Sequence, residues 1–110
     1  MTRSEQERFA DILAAIQRCQ TYAPHLRSGP HQSMAYDAVL RNLAVIGEAV
    51  RTLPVETRDT IPEIPWASIA GLRNVVIHEY FRVDPGLIID IIDNQLADVA
   101  DRLDQGHDIP

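Results

Sequence analysis

Across most of this chain the large apolar residues return every three or four positions, and no stretch alternates apolar with polar as a half-buried strand does. In the first stretch Phe9, Ile12, Leu13, Ile16 and Cys19 form such a row, preceded by Ser4 and Glu7 at capping-box spacing. A first helix is therefore predicted over 5–22. The segment from Pro24 to Pro30, with Ser28 and Gly29, breaks the pattern before Ser33 offers a second N-cap. A long helix follows, with Met34, Val39, Leu40, Leu43, Ile46, Gly47, Val50 and Leu53 on its inner side and Arg41, Glu48 and Arg51 on its polar side, until Pro54 ends it. Residues 55–65 hold Pro62 and Pro65 and allow one short helical turn.

A third helix opens at Pro65–Trp66 and repeats Trp66, Ile69, Leu72, Val76 and Tyr80. The fourth begins where Asp84 and Pro85 match an N-cap followed by proline in the first turn. Leu87, Ile88, Ile91, Ile92, Leu96, Val99 and Leu103 face inward there, while Asp90, Asp93, Asp98, Asp101 and Asp104 face out, with Gly106 as the stop. The fold class this implies is all-α, an antiparallel four-helix bundle with a short extra helical turn. With 110 residues, 45% of them hydrophobic, the chain makes one domain over 1–110.

No apolar run approaches the length that crosses a bilayer, and the polar start Met1–Glu5 lacks the apolar core of a secretion signal, which points to a cytoplasmic protein with no membrane partner. The one cysteine, Cys19, supports neither an internal disulfide nor a multi-cysteine metal site and reads as a small packing residue. His25, His31 and His107 fall in expected loops or the tail without helical partners, so metal ligation has little support. The net charge of −6 argues against a polyanionic partner, but it is unevenly spread. Residues 1–55 carry six arginines against five acids, and residues 56–110 carry four against eleven. All ten basic residues are Arg, the side chain suited to bidentate phosphate contact, although a GC-rich gene is the plainer source of that bias.

The densest chemistry lies in Arg73-Asn74-Val75-Val76-Ile77-His78-Glu79-Tyr80. Arg73 offers a permanently charged fork for phosphate oxygens, and His78 offers a proton exchangeable near neutral pH. Asn74 and His78 share a helical face, whereas Arg73 and His78 stand roughly 140° apart around an ideal helix. One copy is splayed; two copies across a two-fold axis surround a phosphate from both sides, which makes a homodimer part of the functional expectation. A lone histidine at a helix end is more commonly a surface or capping residue, and Trp66 and Phe81, though able to stack on bases, fit packing better at this spacing.

The Arg73-x4-His78-x-Tyr80 pattern, together with Glu63-Ile64-Pro65-Trp66, Arg41-Asn42-Leu43-x2-Ile46-Gly47-Glu48-Ala49 and Tyr80-Phe81-x-Val83-Asp84, resembles the HepT-like toxins of the HEPN superfamily over nearly the whole chain. The resemblance implies an all-helical domain that pairs so that Arg73 and His78 of both copies line one cleft and cut RNA without a metal. Asn74 would be an auxiliary polar residue. It further implies a toxin-antitoxin system in which an MntA-like nucleotidyltransferase antitoxin moves AMP from ATP onto Tyr80. ATP and Mg2+ would belong to that partner, and the toxin itself would need no cofactor. Glu79 departs from the pattern, which often has glycine there; a carboxylate at that position would repel phosphate if it points inward, or could equally favour the acid form of His78. The competing class is a non-catalytic helical dimer whose task is to hold the nucleotidyltransferase, with the acidic last helix as the docking surface.

Overall fold

The computed structural model describes residues 4–79 and 85–107, without the side chains of residue 75, residues 77–79 and residues 105–107. The first helix, α1, spans Glu5–Arg27. Its start follows the expected chemistry: the Glu7 backbone N–H donates to Ser4 Oγ at 3.1 Å, and the Ser4 N–H donates to Glu7 Oε1 at 3.0 Å. Its end does not, because the helix runs through Pro24 for another turn. An interior proline costs about 3 kcal/mol. Beyond it, Leu26 is fully buried, a contribution of about 1.5–3 kcal/mol, and Ala23 packs beside it, so burial offsets the lost hydrogen bond. His25, expected in a loop, consequently lies on α1.

The chain reverses at Gly29, whose φ of +108° lies where a side chain would be strained. The second helix, α2, spans Gln32–Arg51. Ser33 is not its cap. The Gln32 side-chain amide instead donates to Leu26 O at 2.8 Å, satisfying a free carbonyl at the end of α1, and α2 starts two residues earlier, with His31 in the cap position and no side-chain cap bond. Met34 is 72% exposed rather than buried, because Ala35, one position on, takes the inward place in a row continued by Val39, Leu43, Ile46 and Val50. Asn42 is buried in the seam with α1: Arg18 Nε donates to its Oδ1 at 3.0 Å, and its amide donates to Ala38 O at 2.8 Å. Both ends of that side chain are satisfied, as burial requires. Cys19 packs in the core as expected.

The single turn foreseen after Pro54 is α3, Val55–Asp59. The connector after it is pinned by Trp66, whose indole N–H is shared between Arg58 O at 2.9 Å and Ile61 O at 3.0 Å. The Trp66 ring stacks on Phe9 with centroids 6.3 Å apart, tying the start of α1 to this region. Trp66 is thus a packing residue, while Phe81 lies outside the described residues. The expected third helix is two helices, α4 at Trp66–Ala70 and α5 at Leu72–Glu79, parted at Gly71. Glycine is the weakest helix former after proline, and the break there still leaves Ile69, Leu72 and Val76 buried.

The last rod comprises α6 at Pro85–Asp90, a π-helical stretch at Ile91–Leu96 and α7 at Ala97–His107. Asp84 lies outside the described residues. Gly106 does not stop the rod, and Leu87 is 50% exposed because its neighbour Ile88 takes the inward position. The wider π-helical turn keeps Ile91, Ile92 and Leu96 all on the core side.

α1 lies between α2 and the rod. It runs antiparallel to α2, as the Arg18–Asn42 and Gln32–Leu26 contacts require, and Arg27 at its far end pairs with Asp93 at 3.1 Å. α4 and α5 pack on α2. The described residues contain helices and no strand, in line with the all-α reading, and none of these helices is long and apolar enough to cross a membrane.

Candidate functional site

The site begins at Gly47, towards the C-terminal end of α2, where α4 and α5 come close. A Cβ built on Gly47 would stand 2.7 Å from Arg73 N, 2.9 Å from Arg73 Cβ and 3.1 Å from Ala70 O. Two of those three atoms are backbone, so only a residue without a side chain lets the start of α5 seat against α2. That close seating delivers Arg73, in the first turn of α5, to Glu48 on the next position of α2.

Arg73 Nε lies 3.0 Å from Glu48 Oε2, with the two side chains 39% and 43% exposed. Arg51 grips the same carboxylate from one turn along α2, with Nη2 to Oε1 at 3.0 Å and Nε to Oε2 at 3.3 Å. Glu48 is thereby held below the usual carboxylate range: the Arg51 hydrogen bonds are the largest cause, desolvation opposes them, and the charges of Arg51 and then Arg73 add to the lowering. Arg51 is correspondingly raised by the same hydrogen bonds and charge. The arrangement is a fixed anion that orients two guanidiniums. Because Arg73 is engaged through Nε, the terminal edge of its fork is the part that suits a bidentate phosphate contact.

A carboxyl whose pKa is lower folded than unfolded contributes its stability above the unfolded value and loses it as pH falls through the folded one. Thermal midpoints of the parent and of Glu48→Gln are therefore expected to differ by a constant amount from pH 7 to about 5 and to converge below about pH 4, the ordinary glutamate value being about 4.3. A difference that persists unchanged in acid would show that the carboxylate charge is not what holds Arg73.

The expected site residues fall as follows. Arg73, Asn74 and His78 all sit on α5, so the motif fills a short helix rather than ending a long one. Asn74 is exposed, and the helical backbone keeps it four residues, one turn, before His78. The side chains of His78 and Glu79 and the whole of Tyr80 lie outside the described residues. Gly47 and Glu48 were legible only as part of a pattern, since nothing local to α2 announces a contact 25 positions away. His25 and His31 meet edge-on at 6.0 Å between centroids. Among the described residues no group of three or more His, Cys, Asp or Glu could hold a metal ion.

The family model described as Ribonuclease HepT-like matches residues 12–105. A protein of Caldanaerobacter subterraneus subsp. tengcongensis named as an RNase is 34% identical over 89 residues, which are 76% of this chain and 80% of that one. A protein of Thermococcus cleftensis named as a ribonuclease HepT is 34% identical over 86 residues, 76% of this chain and 78% of that one. A protein of Methanocaldococcus jannaschii, named as both a gamma-glutamylcyclotransferase and an RNase, is 36% identical over 67 residues; the match spans 61% of this chain and 30% of that longer protein. No solved structure matches the chain.

Proposed function

Because the chain belongs to the HepT-like ribonuclease family, we propose that it is the toxin of a toxin-antitoxin pair, an endoribonuclease in which Arg73 and His78 of two copies share one cleft. The observation that carries this reading is the Glu48-tethered Arg73 at the start of the helix that also bears His78. In this reading the helices close as an antiparallel four-helix bundle and pair as a homodimer. His78 of one copy takes the proton from an RNA 2′-hydroxyl, whose oxygen attacks the adjacent phosphorus. The phosphorus–O5′ bond breaks, and the second copy's imidazolium gives the leaving oxygen its proton. Arg73 stabilises the charge that builds on the phosphoryl oxygens, and Asn74, exposed one turn before His78, is the auxiliary polar contact.

The nucleophile belongs to the substrate, so the reaction asks for no metal and cannot proceed on DNA. The expected result is cleavage of RNA in EDTA with 2′,3′-cyclic phosphate ends, read by end-group analysis, and no cleavage of the matching DNA. The partner we assign is an MntA-like nucleotidyltransferase antitoxin that brings ATP and Mg2+ and places AMP on Tyr80. Intact mass should rise by whole AMP units in the parent and not in Tyr80→Phe. The second reading, a non-catalytic dimer that holds the transferase, draws on the exposed Asp90, Asp93, Asp98, Asp101 and Asp104 along the rod. A chain that binds the transferase yet leaves RNA intact in EDTA and in Mg2+ would favour it.

A further inference from the structure

The reversal at Gly29 brings together two histidines that the RNA chemistry does not use. His25 lies in the last turn of α1 and His31 in the cap position of α2, and their rings meet with centroids 6.0 Å apart and planes at 74°. Both side chains are exposed, and among the described residues neither ring takes part in a hydrogen bond or an ion pair. Met34, 72% exposed, follows His31 by three positions and so stands on the same side of α2. These three side chains line one hollow of about 310 Å³ together with Tyr22, Ala35 and Ala38.

We propose that this hollow binds a copper(I) ion, held by the imidazoles of His25 and His31 with the Met34 thioether as third ligand. The spacing of the rings fits. An imidazole nitrogen stands about 1 Å from its ring centre and bonds a first-row metal at about 2 Å, so two rings sharing one ion in a near-linear arrangement have centres about 6 Å apart. The observed separation is 6.0 Å. Bringing a nitrogen of each ring inward takes rotation about χ2, a broad torsion that exposed rings follow readily. The donor set selects the metal. Imidazole alone suits zinc, nickel or copper, and a thioether sulfur favours monovalent copper. Zinc asks for a fuller shell, and among the described residues no third His, Cys, Asp or Glu joins the pair. Copper(I) accepts a smaller one. The buried Ala35 and half-buried Tyr22 and Ala38 form an apolar floor that keeps water from one side of the ion.

One ligand comes from α1 and two from the start of α2, so the ion closes the corner between the two helices and stabilises the folded chain. The corner is remote from the arginine site. His31 and Glu48 are 17 positions apart along α2, about 25 Å at 1.5 Å per residue. The ion is a clamp on the fold and takes no part in RNA cleavage, so the site stands or falls independently of the shared cleft.

The test uses the full-length chain without a tag, under anaerobic reducing conditions, with copper(I) supplied as its coloured bicinchoninate complex. The parent should bleach the colour by one equivalent per chain, and X-ray absorption at the copper edge should show two imidazole nitrogens and one sulfur. His25→Ala and His31→Ala should each weaken uptake by about 100-fold or more, and Met34→Leu by about tenfold with loss of the sulfur signal, since losing even an outer-shell partner costs roughly 10–100-fold. His107→Ala should bind as the parent does. Copper(I) at about 100 times its dissociation constant should raise the melting temperature of the parent by on the order of 10 °C and leave both histidine variants unmoved. Cys19 is the competing soft ligand, but it is buried, and a folded Cys19→Ala chain should bind as the parent does. A parent that leaves all the copper with bicinchoninate, uptake undiminished in His25→Ala or His31→Ala, or uptake lost in the folded Cys19→Ala chain would each overturn the site.

Discussion

Replacing Arg73 by alanine should lower RNA turnover by about 10²–10³, the cost of removing one preorganised donor from a developing phosphoryl charge. His78→Ala should cost about 10²–10⁴, as loss of a general acid or base does. The informative comparison is Arg73→Lys. Lysine keeps the charge but has one nitrogen where arginine has a fork, so it can reach the Glu48 carboxylate or a phosphate oxygen but not hold both. Turnover in Arg73→Lys is therefore expected to stay nearer the alanine value than the parent. Steady-state rates on a labelled RNA, run beside thermal melts that confirm folding, check this. Turnover within threefold of the parent in both alanine variants would remove the proposed mechanism.

The second large effect concerns folding. Gly47→Val should destabilise the chain by about 3 kcal/mol, the upper part of the range for overpacking a close contact, and lower its melting temperature by on the order of 10 °C. Alanine is the sharper case because two effects oppose each other. A glycine within a helix costs about 1 kcal/mol relative to alanine, so on propensity alone Gly47→Ala would stabilise. The contact decides otherwise. The new Cβ would press on Arg73 N at 2.7 Å and Ala70 O at 3.1 Å, backbone atoms that yield only if α4 and α5 move away from α2. Both variants should also lose RNA cleavage in proportion to how far Arg73 is carried from Glu48. A Gly47→Ala chain more stable than the parent would mean that the helices part at little cost.

Much of the fold is readable because burial and helical period coincide. Ile12, Ile16, Val39, Leu43, Ile46, Ile88, Leu96 and Leu103 all lie where their spacing puts them. The departures have local causes. Pro24 looks like a terminus, yet Ala23 and Leu26 have a core to fill, and packing overrides propensity. Met34 and Leu87 look apolar enough for the interior, but each has a neighbour, Ala35 or Ile88, one position better phased. Gly71 looks like one more residue within a periodic row, and the row survives a break there.

The site is legible in a different way. Arg73, Asn74 and His78 are conspicuous because cation, amide and imidazole crowd into one turn and a half of helix. Glu48 is not, since a glutamate on an arginine-rich helix face reads as an ordinary solvated charge until α5 is folded onto it. Gly47 carries no chemistry at all. Its meaning exists only in the distance between two helices.

The deep placement of Cys19 gives this molecule a built-in reporter. Exclusion from water pushes its thiol up to about 12, against the opposing pull of Arg18, so the reactive thiolate is scarce as well as shielded. A mild alkylating reagent has to wait for α1 to come away from its neighbours, and the speed of labelling then counts those excursions. The native chain can thus disclose how often its interior opens without any engineered probe.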